Sequence, residues 1–374
     1  MIAFIRPRCR ASREGAFTNR QRSVFPSLTF PNHIAQITGT TTDRHGIVLN
    51  DFYDTSLKES FSFPNRPDLI RTEPIWLTAE RQGVRTAVID WPVSQAQRGT
   101  LHASYFGDAF DKAETDDHRM NRVLEILKTD QNVTPLRLVI SYVSHLDTTG
   151  HRVGPESNDI EKGLLETDAT IGRFIDAAVE WFKSTHPTGE LYIVLTTDHG
   201  MVQVHTLVSL ERLIGVDLVK DTRVVPSGPV ACIYLDQLPE VERAARARAI
   251  VEKFSGVGYA RAWMTKDVPA SYHFAAPDRV GDVTVLLDPG YAFTKERNAT
   301  TMPAVNGRRG MHGYDPAASD DLLGTAIIWR LRKPIGGVDL GPIDNTQWHA
   351  TVAKLLGIEP GKEADQRAIV APGL

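Results

Sequence analysis

Two kinds of apolar pattern alternate along this chain. Short, nearly continuous apolar runs at residues 85–91 (RTAVIDW), 136–143, 191–196 and 323–330 have the length and β-branched content of strands. Between and after them, residues 117–128, 160–183 and 345–356 place apolar side chains at helical spacing, the last closed by Gly357. A further helix is expected to start at Pro74 and to end by Gly83. Strands that alternate with helices predict a parallel sheet covered on both faces, and the run at 136–143 has the composition of a strand buried on both sides.

The pattern changes from about residue 203. A strand at 228–235, an amphipathic helix at 240–254 and a short strand at 258–263 read as a small inserted α+β subdomain spanning 203–278. On this division the core comprises 14–202 and 279–374, resuming with a strand at 282–287. No internal repeat interrupts the pattern.

The stretch that organises the rest is VFPSLTFPNHIAQITGTTTDRHGIVLN, residues 24–50. Phe25-Pro26 and Phe30-Pro31 bracket Thr29, and Pro31 suits the first turn of a helix. Thr29 is thereby expected just outside a helix N-terminus, where free N–H groups and the helix dipole favour a negatively charged oxygen. An ordinary N-cap is the competing reading. Two segments with metal-ligand chemistry follow strands, where ligands of such sheets gather. Asp147-Thr148-Thr149-Gly150-His151 sets a carboxylate and an imidazole four residues apart, on one side of a helical turn. Asp198-His199-Gly200 sets another pair where the chain has left its strand and is turning. His312 stands between Gly310-Met311 and Gly313, on a backbone free to approach a metal.

Taken together, T-F-P-N-H at 29–33, H-G-I-V-x-N ending at Asn50, W-P-V-S at 91–94, D-T-T-G-H-R-V-G-P and T-T-D-H-G-M resemble the nucleotide pyrophosphatase/phosphodiesterase family of the alkaline phosphatase superfamily. The likeness covers roughly residues 14–360 and implies an alkaline-phosphatase-like, mostly parallel sheet with helices on both faces. It implies Thr29 as the nucleophile and Asn50 as a neutral donor to a phosphate oxygen. Two zinc ions are implied, one held by Asp147, His151 and His312, the other by Asp198 and His199 beside the Thr29 oxygen; coordination would lower the pKa of the hydroxyl. Phe30 and Tyr142 would sandwich a nucleotide base, although both also fit as core residues. His33, His45 and His145 have no spacing that gives them more than a structural or surface role.

Where the family carries D-G-x-R on an opening strand, no aspartate precedes Thr29, and the nine residues between Ile5 and Gly15 are fewer than the dozen or so a parallel crossover takes. The reading therefore expects that strand to be missing, the second zinc site incomplete and activity impaired. Val93 replaces the family's glycine. Residues 1–22 carry six arginines against one acid, yet Glu14 to Phe17 already lead into the fold, which argues against a transit peptide.

Composition adds few constraints. A net charge of −4 points to no nucleic-acid polymer, and no apolar run approaches the roughly 20 residues of a membrane helix. Cys9 and Cys232 are too few for a disulfide framework. No secretory signal is visible; the resemblance itself implies a periplasmic or extracellular setting. Three functions fit: a zinc-dependent phosphodiesterase or nucleotide pyrophosphatase, a phosphonate or phosphate-monoester hydrolase of the same superfamily, and a silent binding protein that keeps the pocket. Substrate identity and oligomeric state stay open.

Overall fold

The computed structural model describes residues 14–107, 110–304 and 309–373, so Ile2 to Ile5 and Cys9 lie outside the described residues. Strand β1 (Ala16–Arg22) leads through a turn into helix α1 (Thr29–Thr38). Helix Ile75–Arg81 then packs before β2 (Arg85–Ile89), α2 (Asp116–Thr129) and β3 (Leu136–Ser141). Helices α3 (His145–Val153) and α4 (Asp159–Thr185) precede β4 (Tyr192–Thr196). The insertion contributes β5 (Val230–Tyr234), α5 (Glu240–Glu252), β6 (Ala260–Met264) and β7 (Val283–Leu287), and the chain closes with β8 (Gly324–Arg330) and α6 (Trp348–Leu356). Gly357 ends α6 in the left-handed conformation, as its place in the sequence requires.

The core sheet is mixed and comes in two pieces. One has β1, β8 and β4 in that order, with the short strand Val338–Asp339 on the outer side of β1; the other has β2 between Tyr105–Phe106 and β3. β2 is parallel to both its neighbours, whereas β8 is antiparallel to β1 and to β4. The direction of β8 follows from the chain path. β4 runs toward Asp198, while β8 starts just after the His312 loop and so runs away from the same end. Among the described residues, β3 and β4 each pair with a single neighbour, and nearly all of their residues are only half-buried. The run at 136–143 is thus not the doubly buried strand its composition suggests, because one edge lacks a partner.

In the insertion, β5 and β7 are fully buried along their length and pair antiparallel, with β6 on the far side of β7. The strand expected at 282–287 thus pairs with β5 and β6, while its Leu286 packs into the main core. Continuous apolar character marks burial, not which sheet does the burying. Val285, Leu287, Ile233, Ile250 and Phe254 make up much of the subdomain's apolar centre. Val93, standing where the family has glycine, adopts φ 58° with its side chain buried; this is the left-handed region that β-branched residues rarely enter.

Candidate active site

The turn that presents Thr29 is built by Asn32, a fully buried member of the T-F-P-N run. Its Oδ1 accepts from Val24 N–H at 2.8 Å, and its amide donates to the carbonyls of Pro26 (2.9 Å) and Leu28 (2.8 Å). The helix begins at Thr29 itself, with Leu28 in the N-cap place and no side-chain cap. Thr29 is therefore not an N-cap. Its Oγ1 lies 3.3 Å from His199 Nε2. Nor does the row of free N–H groups expected there exist, since Pro31 has none and Phe30 N–H donates to Asn50 Oδ1 at 2.9 Å. That bond fixes which way the Asn50 side chain is turned and leaves its NH2 as a donor.

Helix α3 brings Asp147 and His151 to one side, as the spacing predicts, with His151 Nε2 3.5 Å from Asp147 Oδ1. Its N-terminus is held by the buried Asp116 of α2, whose carboxylate accepts from the N–H groups of Ser144 (3.1 Å) and His145 (2.9 Å). Gly310 allows the His312 loop to meet α3, because a Cβ there would come within 2.4 Å of Gly150 O. Gly200 likewise turns beneath the Asp321 carbonyl, which would stand 2.0 Å from an added Cβ. The result is one cluster. His312 Nε2 lies 3.1 Å from His151 Nε2 and 3.5 Å from Asp147 Oδ1; His199 Nε2 lies 3.0 Å from Asp198 Oδ2; and the rings of His199 and His312 stack at 3.5 Å. Ligand atoms of Asp147, His199 and His312 all fall within 4.8 Å of one another.

The hydrogen-bond directions give the cluster its chemistry. His151 Nδ1 faces Gly310 O (2.8 Å), His199 Nδ1 faces Gly200 O (2.9 Å) and His312 Nδ1 faces Ser27 O (3.1 Å). A carbonyl can only accept, so each Nδ1 carries a proton and each ring, when neutral, turns its Nε2 lone pair inward; burial would lower His199, but the Asp198 carboxylate beside it raises it. Meanwhile Asp147 Oδ1 and Asp198 Oδ2 are buried without a hydrogen-bond donor. Lone pairs that confront one another at such distances repel unless cations lie between them. Two donors on one tetrahedral zinc stand about 3.3 Å apart, close to the separations seen here. The residues present therefore fit the metal ions that the family resemblance implies.

Electrostatics agree. Burial by itself would raise the Asp198 carboxyl, yet the adjacent His199 and His33 hold it well below the usual carboxylate range. Burial, helped by the charge that His199 and His151 carry when protonated, pushes His312 well down and keeps it neutral. Burial also raises the Tyr142 hydroxyl, with Asp198 and Asp147 adding to the effect.

Phe30 and Tyr142 are both half-buried near this cluster, but each has its own ring partners. Phe30 meets Phe63 edge-on at 5.4 Å; Tyr142 meets His33 at 4.7 Å and Phe110 at 5.7 Å. Phe63 is 45% exposed at φ 45°, and the Lys112 ammonium lies 5.1 Å from its ring centre. Spacing gave no signal for Phe63, Lys112 or Asp116, which reach the site from separate stretches of the chain. A cleft of about 500 Å³ opens among Asp116, Ser144, Thr148 and Arg173, and none of Asp147, His151, Asp198, His199 and His312 lines it. His145 pairs with Glu166 at the surface and His45 is a core residue, as expected of both, whereas His33 lies in the site.

The sheet architecture and the helices around it are of the alkaline-phosphatase-like α/β class. Mouse ectonucleotide pyrophosphatase/phosphodiesterase 5, solved as an inactive threonine-to-alanine variant in complex with AMP, superposes with a TM-score of 0.78 over 94% of this chain and 89% of its own, at 21% identity. The family model for type I phosphodiesterase / nucleotide pyrophosphatase matches residues 10–315, and the chain belongs to that family. Human ectonucleotide pyrophosphatase/phosphodiesterase family member 1 is 28% identical over 284 residues, which are 74% of this chain and 30% of the human protein. An uncharacterized pyrophosphatase/phosphodiesterase of Schizosaccharomyces pombe is 27% identical over 351 residues, 89% of this chain and 69% of the yeast protein. The chain thus spans less than a third of the human relative's length.

Proposed function

We propose that this chain is a zinc-dependent phosphodiesterase or nucleotide pyrophosphatase that works through a phosphothreonine at Thr29. The observation that carries the reading is the convergence of Asp147 Oδ1, His151 Nε2, His312 Nε2, Asp198 Oδ2 and His199 Nε2 beside the Thr29 hydroxyl, with three protons committed to backbone carbonyls and the two carboxylate oxygens left without hydrogen-bond partners of good geometry. Asp147, His151 and His312 would hold one ion, and Asp198 and His199 the other, next to Thr29. When bound, the ions supply charge to stabilise the transition state and lower the pKa of a coordinated hydroxyl. Thr29 Oγ then attacks phosphorus as the bond to the leaving oxygen breaks, and the product alcohol or phosphate departs with that electron pair and a proton. Water afterwards cleaves the Thr29 phosphoester and restores the hydroxyl. Asn50, held by Phe30 N–H, offers its NH2 to a non-bridging oxygen as charge develops. Phe30, Phe63 and Tyr142 supply aromatic surface for a base, in keeping with the AMP named for the mouse relative. The "ecto" in the relatives' names supports a periplasmic or extracellular setting.

The test is turnover of bis(p-nitrophenyl) phosphate and p-nitrophenyl phosphate, with and without added zinc. Zinc-dependent diester cleavage is expected to exceed monoester cleavage, to vanish in Thr29→Ala and to survive in part in Thr29→Ser. Preference for the monoester would move the chain to the monoesterase class. A Thr29→Ala protein with unchanged turnover would refute the covalent step.

A further inference from the structure

His33 differs from the other histidines of the site in which nitrogen it presents. The side chain is 2% exposed, and its Nδ1 lies 2.9 Å from Thr29 O, the carbonyl of the nucleophile residue one helical turn back. Because that carbonyl can only accept, Nδ1 carries a proton and has no lone pair to give a metal in this tautomer. The same N–H lies 3.2 Å from Asp198 Oδ2, to one side of the line of its main hydrogen bond. Trp91 and Tyr142 meet the ring edge-on at 4.6 and 4.7 Å, which holds it from two directions. His151, His199 and His312 turn lone pairs toward the cluster; His33 turns a hydrogen toward the carboxylate.

Asp198 Oδ2 therefore stands between two imidazoles of opposite kind: the His199 lone-pair nitrogen at 3.0 Å and the His33 N–H at 3.2 Å. The N–H is bonded to Thr29 O and meets Asp198 Oδ2 off-line, so it makes no second hydrogen bond of good geometry, but its positive end holds the carboxylate oxygen in place without taking it from the metal, the usual task of groups that back up metal ligands. We infer that His33 is a positioning residue that ties Asp198, a ligand of the second ion, to the backbone of Thr29. The inference rests on the two-metal reading above. It accounts for a buried histidine in contact with both the nucleophile's backbone and a metal-binding carboxylate, and it makes the second ion, not the first, depend on His33.

The experiment is zinc titration of the full chain against a chromophoric chelator, comparing wild type, His33→Leu and His33→Asn, with cobalt(II) absorption spectra and circular dichroism of each. Asparagine places an amide N–H near the position of Nδ1. Wild type is expected to bind one ion tightly and a second more weakly. His33→Leu should keep the first with unchanged affinity and bind the second about 10- to 100-fold more weakly. His33→Asn should recover most of that loss, and the cobalt spectrum at saturation should be the same in all three, since the ligand set is unaltered. Equal second-ion affinity in His33→Leu, or a His33→Asn protein that is folded yet as impaired as His33→Leu, would overturn the inference. So would a changed cobalt spectrum in His33→Asn, which would make His33 a ligand. A wild-type chain that binds fewer than two ions would instead defeat the two-metal reading itself.

Discussion

Protonation of His45 is expected to set much of the acid sensitivity of this fold. The side chain is fully buried, its Nδ1 accepts from Ile47 N–H at 3.1 Å, and its Nε2 has no hydrogen-bond partner of good geometry. Burial, with the Arg279 guanidinium beside it, lowers its pKa from 6.5 to about 3, against a weaker opposing contribution from the Pro31 carbonyl. The sign follows from proton counting. Below pH 6.5 the unfolded chain binds a proton at His45 that the folded chain refuses until about pH 3. Stability is thus fully present above pH 6.5 and falls as the pH drops toward 3. Between pH 7.5 and 5 the loss from this one group is about 2 kcal/mol, at roughly 1.4 kcal/mol per pH unit. That is a sizeable part of a domain stability of about 5–15 kcal/mol. Urea unfolding at both pH values, in wild type and in His45→Asn, isolates the effect. The asparagine oxygen can take the Ile47 N–H but does not titrate. The variant should be less stable at pH 7.5 because it leaves a cavity, and its further loss on going to pH 5 should be about 2 kcal/mol smaller than that of wild type. Other titrating groups are common to both proteins and cancel. An equal loss in the two proteins would refute the argument.

Two further outcomes follow from buried charge and capping. Arg279 is buried with its Nε 2.9 Å from Asp54 Oδ2 and its Nη1 2.7 Å from the carbonyls of Gly46 and Leu69, so Arg279→Met should cost about 3–5 kcal/mol in urea unfolding by leaving the Asp54 carboxylate unpaired; a loss under 1 kcal/mol would show that water reaches the carboxylate. Asp116→Ala removes the acceptor for the first N–H groups of α3 and should cost about 1–2 kcal/mol, with weaker binding of the ion assigned to Asp147 and His151, whereas Asp116→Asn should retain part of both in the same zinc titration.

Local patterns carried most of the site. The i, i+4 relation of Asp147 and His151, the turn after β4 that exposes Asp198 and His199, and the glycines around His312 are short-range facts that a chain carries in its residue order, and the structure brings all five side chains together with Thr29 and Asn50. What local pattern could not supply was partnership across the chain. His33 has the spacing of an ordinary helical residue, and only the arrival of Asp198, far along the sequence, gives its N–H a second neighbour. Asp116 is an unremarked acid at a helix start until α3 comes to rest on it. β7 has the apolar run of a core strand and packs Leu286 into the main core, yet its strand partners are those of the insertion, because a run of apolar residues carries no information about its neighbour in the sheet.

The same limit explains how the two pieces of the core sheet are held. β3 and β4 each lack a second neighbour among the described residues, and no ladder between described strands joins them. Helix α1 does. Gln36 donates to Thr197 O at 2.8 Å just beyond β4, His33 reaches Asp198 on that side, and the same His33 ring rests against Tyr142 just beyond β3. Asn345 Nδ2 donates to Asn32 Oδ1 at 2.8 Å and anchors the start of α1 to the segment that leads into α6. The helix that begins at Thr29 is therefore also the element that spans both half-sheets at their site end. Each ligand pair is carried by a different piece, Asp147 and His151 after β3, Asp198 and His199 after β4. Among the described residues, the separation of the two pairs is set by side chains of α1 more than by strand pairing. A substitution on the inner face of α1 is for that reason felt at both metal pairs, whereas one in the outer strands is not.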